Sequence, residues 1–286
     1  MNIKKIAALI LTLALVFSLA ACGSKTPSTE TDIPATGEPE NENVENVTLK
    51  VAATPVPHAE ILAVAKEILA EQGITLEIIE FTDYVQPCMV TENGEVDANY
   101  FAHLPYIDGF NAENGTHLVS VAAIHYEPLG LYAGKTASIE ELADGAKIAV
   151  PNDGSNEARA LYLLQDLGLI TVDGSKGYDI TVIDIIDNPK NLKITETAAE
   201  QLPNILPDVD LAVINGNYAI GAGIDGTVLT TEDKDSAAAQ TYANIVAVNA
   251  GHENDEKIVA LVNALKSEEV RSFIEETYGI SVVPMF

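Results

Sequence analysis

The spacing of apolar residues in the first third of the chain predicts a β-α-β unit. Residues 48–53 alternate between apolar and polar positions, as a strand with one buried face does, and residues 58–72 repeat with the period of a helix. One face of that helix carries Ile61, Leu62, Ala65, Ile68 and Leu69. Gly73 ends the helix, and residues 75–81 form the second predicted strand.

Strands and helices go on alternating to the C-terminus. The further predicted strands are 147–150, 180–187, 209–215 and 242–248. The further predicted helices are 155–167, 196–206, 255–265 and 267–278, with a short helix opened by the capping box Ser138-Ile-Glu-Glu141. This alternation predicts an α/β protein whose parallel or mixed sheets are covered by helices on both faces.

Two extended stretches divide the chain into two lobes. Residues 119–132 and 242–248 are long enough to cross from one sheet to another. We therefore expect lobe 1 to comprise residues 48–129 and 243–286, and lobe 2 to comprise residues 130–242. Ligands of such proteins bind in the cleft between the lobes, near the carboxyl ends of strands and the amino ends of helices.

The N-terminus predicts export and a lipid anchor. Lys4 and Lys5 precede an uncharged apolar run of about 16 residues, which is short for a spanning helix. The run ends in Leu19-Ala-Ala-Cys22, which resembles the lipobox of bacterial lipoproteins; an ordinary cleaved signal or an uncleaved anchor is the alternative. We predict a signal peptide over residues 1–22, lipidation of Cys22, and an acidic disordered tether over residues 23–47 that holds the body at the outer face of the cell membrane.

The net charge limits which molecules can bind the chain, and the cysteine content limits its disulfides. The chain has 43 acidic and 15 basic residues and a formal net charge of −28, which repels nucleic acid and anionic lipid, so we expect no nucleic-acid partner. The same charge keeps an exported protein soluble. Cys88 is the only cysteine besides Cys22, so no internal disulfide forms once Cys22 carries lipid.

Arg159 predicts a bound anion. It is one of two arginines in the chain and stands near the start of the predicted helix 155–167. The amino end of a helix carries a partial positive charge, so a cation there is unfavourable unless an anion joins it. The guanidinium fork suits a carboxylate, and the helix end adds donors of its own.

Aromatic, histidine and amide side chains collect in segments that follow predicted strands. The chain has no tryptophan and 6% aromatic residues, yet residues 97–106 contain three aromatic residues and one histidine. Loops at strand ends gather ligand contacts, which makes these side chains candidates. The candidates are Tyr84, Phe101, His103, Tyr106, His125, Asn215, Asn217 and Asn244. A structural role, as core aromatic, helix cap or satisfied histidine, is the alternative for each.

The sequence shows no residue spacing typical of a metal site or of a catalytic nucleophile. The histidines show no His-x-x-x-His pattern and the cysteines no Cys-x-x-Cys pattern, so the sequence predicts no zinc or iron site, and no cofactor. Ser155 lacks the second glycine of a nucleophile elbow. Cys88 is the best remaining nucleophile candidate, but a small buried thiol is the favoured interpretation, and we expect no enzyme activity.

Taken together, these segments resemble the methionine-binding lipoproteins of bacterial ABC importers, also called NlpA-type lipoproteins. The motifs that carry the resemblance are Asp83-Tyr-Val-Gln-Pro87, Asp97-Ala-Asn-Tyr-Phe101, His103-Leu-Pro-Tyr106, Glu127-Pro-Leu-Gly-Leu-Tyr132, Val150-Pro-Asn-Asp153, Ser155-Asn156, Ala158-Arg-Ala-Leu161 and Val213-Ile-Asn-Gly-Asn-Tyr218. The resemblance extends over residues 48–286. It implies a type II periplasmic-binding fold that closes on methionine, with L-methionine as the first expectation, and delivers it to a membrane permease driven by a cytoplasmic ATPase.

The resemblance also implies roles for single residues. Arg159 would bind the α-carboxylate, and Asn215, Asn217 and Asn244 would bind the amino-acid head group. The thioether side chain would be surrounded by Tyr84, Phe101, His103, Tyr106 and His125.

Two positions depart from the family pattern and leave the exact ligand open. Cys88 stands where asparagine is usual, and Asn249 stands where arginine is usual. D-methionine, a methionyl peptide or another small apolar amino acid is the alternative ligand. A surface adhesion lipoprotein, or an enzyme that uses Cys88, is the alternative class of function.

Overall fold

The computed structural model describes residues 47–233 and 237–286. The predicted signal peptide, Cys22 and residues 23–46 of the predicted tether lie outside these residues. Within the described part, no helix is long and apolar enough to cross a membrane. The described chain is an α/β structure built on two separate mixed sheets and a ribbon of two short strands.

The first sheet contains strands from both ends of the described chain. In spatial order these are β13 (Val283–Pro284), β4 (Leu118–Tyr126), β12 (Asn244–Asn249), β3 (Ala98–His103), β1 (Val47–Ala53) and β2 (Ile74–Glu80). β1 runs parallel to β2 and β3, whereas β12 is antiparallel to β3 and β4. The helices of this part are α1 (Glu60–Ala70), α2 (Val85–Glu92), α3 (Leu104–Asn114), α8 (Glu256–Leu265) and α9 (Glu268–Tyr278).

The second sheet is formed by the middle of the chain. In spatial order its strands are β11 (Val228–Thr231), β5 (Gly130–Ala133), β10 (Leu211–Ile214), β6 (Lys147–Pro151) and β9 (Lys193–Thr197). β6 is parallel to β9 and β10, and β5 is antiparallel to β10 and β11. The remaining elements are α4 (Gly154–Asp166), α5 (Leu202–Ile205), α6 (Gly216–Gly221), α7 (Ala237–Thr241) and the ribbon of β7 (Thr171–Val172) and β8 (Ile185–Asp187).

Each sheet has its own apolar core. The predicted inner face of α1 is buried, because Ile61, Leu62, Ala65 and Leu69 pack with Leu49 and Val51 of β1. In the second sheet Ile148 and Val213 pack with Leu161 of α4. Two cores give two bodies, which can move relative to each other if the connections between them bend.

The chain passes between the two sheets twice. Residues 127–129 join β4 of the first sheet to β5 of the second. Residues 232–243, of which 234–236 are not described, join β11 of the second sheet to β12 of the first. Each predicted lobe therefore contains one sheet, and both connections lie side by side, since the Glu232 amide donates to the Leu129 carbonyl across 3.0 Å.

Three predicted elements differ from the structure. Residues 138–141 form bends and turns, because a single turn of helix does not offset its nucleation cost. Residues 182–184 form a 3-10 turn capped by Thr181 and Asp184, and only 185–187 is strand. The predicted helix 196–206 is interrupted by Pro203, and its start belongs to β9, an edge strand whose mostly exposed side chains show no apolar period.

Candidate ligand-binding site between the sheets

A cavity of about 330 Å³ lies between the two lobes. It is lined by Tyr84, Phe101, Ala102, His103, Tyr106, Glu127, Asn156, Arg159, Asn215, Gly216, Asn217 and Asn244. All of the predicted ligand contacts are among these residues except His125, which is fully buried elsewhere.

Lobe 1 contributes an aromatic wall. The ring centroids of Tyr84, Phe101 and Tyr106 lie 5.6 to 5.8 Å from one another, in tilted and edge-to-face arrangements. The Tyr106 hydroxyl donates to the Tyr84 carbonyl across 3.0 Å, which fixes the two rings relative to each other. Cys88 packs behind this wall, and burial raises the pKa of its thiol far above the ordinary value, so it is not a nucleophile.

The amino end of α4 brings two polar side chains to the cavity. Asp153 caps the helix by accepting from the Asn156 amide across 3.0 Å. Asn156 and Arg159 are three residues apart, so they lie on the same face of α4. Both are buried and both line the cavity.

A chain of amide hydrogen bonds fixes which atom each residue presents. Asn156 Nδ2 donates to the Asp153 carboxylate across 2.8 Å, so Asn156 Oδ1 must act as an acceptor. It accepts from Asn215 Nδ2 across 2.9 Å and from His103 Nε2 across 3.1 Å. The His103 proton is on Nε2, because Nδ1 accepts from the Tyr106 amide. Asn215 Oδ1 is left buried with no hydrogen-bond partner among the described residues.

The turn from β10 into α6 requires glycine. A Cβ atom on Gly216 would lie 2.9 Å from Cβ and from Oε2 of Glu127, closer than any side chain allows. Asn215 and Asn217 flank this glycine, and Asn217 Oδ1 accepts from the Tyr84 hydroxyl across 2.6 Å. This hydrogen bond crosses from lobe 2 to lobe 1, as does the one between Tyr218 and the Thr82 carbonyl at 3.0 Å.

Arg159 already has a carboxylate partner inside the protein. Its Nε lies 2.8 and 3.0 Å from the two carboxylate oxygens of Glu232, and its Nη2 also contacts Glu232. Nη2 donates in addition to the Glu127 carbonyl across 2.9 Å, and the guanidinium carbon lies 4.4 Å from the centre of the Tyr242 ring. The anion expected beside Arg159 is thus supplied at one edge by Glu232.

Electrostatics keep this pair ionised. Burial by itself would raise the pKa of Glu232, but the charge and hydrogen bonds of Arg159 hold it below the ordinary glutamate value. Burial would lower the pKa of Arg159, and Glu232 more than offsets this, so the pKa of the guanidinium is raised.

Glu127 is the second buried carboxylate of the site. Its Oε1 lies 2.7 Å from His125 Nε2 and 3.5 Å from His58 Nε2. The Tyr100 hydroxyl contacts His125 Nδ1, and Thr54 Oγ1 lies 2.7 Å from His58 Nδ1. Burial raises the pKa of Glu127, whereas burial lowers the pKa of His58 to about 4 and that of His125 to about 3. Both histidines are therefore neutral at physiological pH.

These three groups are close enough together to resemble a metal site. The ligand atoms of His58, His125 and Glu127 lie within 4.8 Å of one another, a convergence that histidine spacing along the sequence does not reveal. Each ring nitrogen has a hydrogen-bonding partner, because His58 Nε2 also lies 3.0 Å from Asn244 Oδ1. The cluster is complete as a hydrogen-bonded support that orients Glu127 toward the cavity.

Sequence reasoning missed three residues of the site and misplaced one. Glu127 and Asn156 stood inside the quoted motifs, but a carboxylate next to a proline and an amide next to a serine gave no signal of their own. Glu232 is far from every motif in sequence. His125 does not line the cavity; it is fully buried, and its Nε2 contacts the Glu127 carboxylate, which does line it.

The two departures from the family pattern lie outside the cavity lining. Cys88 is part of the packing behind the aromatic wall. Asn249 Nδ2 donates to the Glu92 carbonyl across 2.8 Å at the carboxyl end of α2, so it joins β12 to this helix.

The comparison with known proteins identifies the family of this two-lobed chain. A model of the NlpA lipoprotein family matches residues 49–286, which is the whole of both lobes. The chain belongs to the NlpA lipoprotein family. Members of this family are substrate-binding lipoproteins, so the prediction that the chain is not an enzyme is confirmed.

Individual relatives of this NlpA-family chain have been solved or characterised. A lipoprotein of known structure from Ruminococcus gnavus is 52% identical, with a TM-score of 0.82 over 84% of this chain and 99% of its own. A nutrient-binding protein from Burkholderia cenocepacia, solved with bound methionine, is 40% identical, with a TM-score of 0.79 over 83% of this chain and 100% of its own. The methionine-binding lipoprotein MetQ of Bacillus subtilis is 37% identical over 279 residues, 96% of each chain.

Likeness at this level confirms the predicted fold of the NlpA-family chain. It has the two-lobed type II periplasmic-binding fold, with mixed sheets flanked by helices and two crossovers between the lobes.

Proposed function

We propose that this protein is a lipid-anchored extracytoplasmic receptor that captures methionine, L-methionine in the first instance, by closing its two lobes. It then delivers the amino acid to an ABC permease with a cytoplasmic ATPase. The names of its relatives support the class of ligand, since they include a MetQ lipoprotein and a protein solved with methionine. Lipid on Cys22 would keep the receptor at the outer face of the membrane.

One observation carries the proposal: the cavity presents a cationic donor and two oxygen acceptors to the same enclosed space. Arg159 lines the cavity, and its guanidinium group can donate to a carboxylate. Asn215 Oδ1 is a buried acceptor without a partner among the described residues, and Glu127 supplies a carboxylate. A free amino acid fits such a set, because its carboxylate and ammonium groups need opposite partners a few ångströms apart.

The orientations of three asparagine side chains also suit the head group of an amino acid. Asn217 Oδ1 is taken by Tyr84 and Asn244 Oδ1 by His58, so each residue has its Nδ2 left to donate to the ligand carboxylate. Asn215 is the reverse, with its Nδ2 taken by Asn156 and its oxygen free for the ammonium group.

The aromatic wall suits the tail of methionine. A thioether is polarizable and makes favourable contacts with the edges of aromatic rings. Tyr84, Phe101 and Tyr106 present both faces and edges to the cavity. His103 contacts this wall and is neutral, because burial and then the charge of Arg159 lower its pKa to about 3.

Closure of the lobes is the mechanism of capture. The ligand touches Arg159 and Asn215 of lobe 2 and the aromatic wall of lobe 1, so it favours the closed state by binding it more tightly than the open state. The hydrogen bond between Tyr84 and Asn217 forms in the closed state only, since its two residues belong to different lobes.

D-methionine, methionyl peptides and other small apolar amino acids are the alternative ligands, since all carry the same head group. Isothermal titration and thermal denaturation of the purified chain in detergent, after refolding to remove copurified ligand, test L-methionine and each of these alternative ligands. L-methionine at about 100 times its dissociation constant should stabilise the protein by roughly 2.7 kcal/mol. No heat and no stabilisation with any of these ligands would refute the proposal.

The same titration with Arg159→Ala and Arg159→Lys tests the carboxylate clamp. Both should bind methionine at least about 30-fold more weakly, because loss of one partner of a buried charge pair costs about 2 to 5 kcal/mol, and lysine keeps the charge but lacks the planar fork of donors. Arg271→Ala is the matched control, since this arginine contacts Phe286 and does not line the cavity, and its variant should bind as the wild type does.

A further inference from the structure

Glu232 accepts more hydrogen bonds than its ion pair with Arg159 alone would give it. Its Oε2 accepts from the Tyr126 hydroxyl across 2.7 Å and from the Leu129 amide across 3.0 Å, in addition to Arg159. Tyr126 ends β4 and Leu129 lies in the first connection between the lobes, whereas Glu232 begins the second. The carboxylate is therefore fixed against both connections and cannot swing away to leave Arg159 alone.

The ion pair between Glu232 and Arg159 reduces the net positive charge that a ligand meets in the cavity. Glu232 takes Nε and Nη2 of Arg159 in a bidentate arrangement, so the guanidinium offers a hydrogen-bond donor but little unbalanced positive charge. The other ionisable groups around the cavity add no cation, because His58, His103 and His125 are buried and neutral. Asp153 is engaged at the amino end of α4, and Glu127 faces the cavity.

We propose that Glu232 is a specificity-determining residue, which neutralises Arg159 so that the cavity accepts a zwitterion and rejects a carboxylic acid without an ammonium group. The inference rests on the proposed function, in which Arg159 meets the ligand carboxylate. It goes beyond that function in naming the net charge of the ligand as the property selected, and in assigning the selection to a residue that does not line the cavity.

The physical reason is the low polarity of the closed site. In a buried site charges interact several times more strongly than in water, so an unpaired Arg159 would attract any carboxylate. With Glu232 on its other edge, most of that attraction is cancelled. A carboxylate that enters must therefore bring its own positive charge, and the ammonium group of an amino acid does so beside Glu127.

Three ligands with one tail and different charges test the proposal. Methionine is a zwitterion, methioninamide is a cation, and 4-(methylthio)butanoic acid is an anion at about pH 6.5. In Glu232→Gln, the affinity for the anion should rise relative to methionine by about tenfold, and that for the cation should fall by about as much. A residue that only holds the fold would weaken all three ligands by the same factor.

Two variants serve as controls. Glu232→Asp keeps the charge and should keep the wild-type order of the three ligands, even if each binds more weakly. Asp210→Asn removes an ionised carboxylate of lobe 2 that does not line the cavity, since the hydrogen bond from the Lys147 amide lowers the pKa of Asp210, and it should leave the order unchanged.

The outcomes separate this inference from the proposed function. Wild-type protein that binds 4-(methylthio)butanoic acid as tightly as methionine would overturn the role of Glu232 without any variant having to fold. A second result would also overturn it: the wild type binds methionine, and a folded Glu232→Gln variant ranks the three ligands in the same order as the wild type. The proposed function would then still stand. Wild type that binds none of the three ligands would overturn both.

Discussion

The Nε2 group of His125 donates to Oε1 of Glu127 across 2.7 Å, and this hydrogen bond places the histidine behind the cavity wall rather than in it. The Tyr100 hydroxyl holds the other ring nitrogen. His58 approaches the same carboxylate oxygen to 3.5 Å. The aromatic and histidine residues of lobe 1 therefore divide into those that face the ligand and those that support Glu127.

Methionine binding should weaken as the pH falls. The pKa of Glu127 in the unliganded protein is raised above its ordinary value, mainly by burial, and a ligand ammonium group favours the ionised form. The complex thus binds fewer protons than the free protein, so affinity increases with pH and is lost as pH falls through the raised pKa. His58 and His125, whose pKa values are about 4 and 3, stay neutral between pH 5 and 8. Titration calorimetry across this range measures the slope.

Glu127→Gln is the companion variant, because it keeps the shape and removes the titrating charge. It should bind methionine about tenfold more weakly at pH 8, since a hydrogen bond to a charged group contributes about 1.5 to 3 kcal/mol, and it should show little change toward pH 5. An identical pH dependence in variant and wild type would mean that Glu127 does not receive the ammonium group.

Asn215→Ala should reduce methionine affinity by about tenfold or more, because the ligand ammonium group loses a buried acceptor. Asn99→Ala is the matched control. Asn99 Oδ1 is also buried without a partner among the described residues, and its Nδ2 donates to Thr91, but Asn99 does not line the cavity. Both variants should lose similar stability in urea unfolding, and only Asn215→Ala should lose affinity. Equal binding by the two would remove Asn215 from the site.

Tyr84→Phe should speed the release of methionine. The variant keeps the ring in the aromatic wall but loses the 2.6 Å hydrogen bond to Asn217, which joins the lobes in the closed state. A net loss of about 1 kcal/mol corresponds to a dissociation rate about fivefold higher in stopped-flow experiments. In Tyr106→Phe the hydrogen bond that is lost, to the Tyr84 carbonyl, lies within lobe 1, so the release rate should change less. A larger effect of Tyr106→Phe would contradict this account of closure.

Glu157→Gln should stabilise the unliganded protein increasingly as the pH rises from 4.5 to about 7. Burial, together with the nearby carboxylate of Glu196, raises the pKa of Glu157 from 4.5 to about 7. Since the folded pKa lies above the unfolded one, the stability that the protonated group provides is present below pH 4.5 and is lost as the pH rises through about 7. Glutamine imitates the protonated form and can still accept from the Val182 amide.

Urea unfolding of wild type and Glu157→Gln at two pH values measures this difference. The free energies of unfolding should agree near pH 4, and the variant should be more stable by roughly 2 kcal/mol near pH 8. A variant that is equally or less stable at pH 8 would show that Glu157 is not protonated in the folded protein at neutral pH.

Elements with a strong apolar period could be predicted from sequence, and elements held by pairing or capping could not. α1, α8 and α9 follow the predicted bounds within a few residues, because each buries one continuous stripe. The last two residues of β9, 196 and 197, were predicted to begin a helix, because the side chains of β9 are mostly exposed and its position is set by hydrogen bonds to β6. The predicted helix at 138–141 is wrong because a capping box alone does not offset the nucleation cost of a single turn.

The sequence by itself determined the α/β class, the two crossovers, and the family through motifs that are continuous along the chain. It also identified Arg159, because a rare cation at a helix start has an electrostatic meaning that needs no neighbours. Only the tertiary structure decided what stands beside that cation. Glu232 is 73 residues away and pairs with Arg159 only because the second connection returns alongside the first. The support of Glu127 by two histidines has the same origin, since side chains from β4 and from the turn before α1 meet only when the sheet forms.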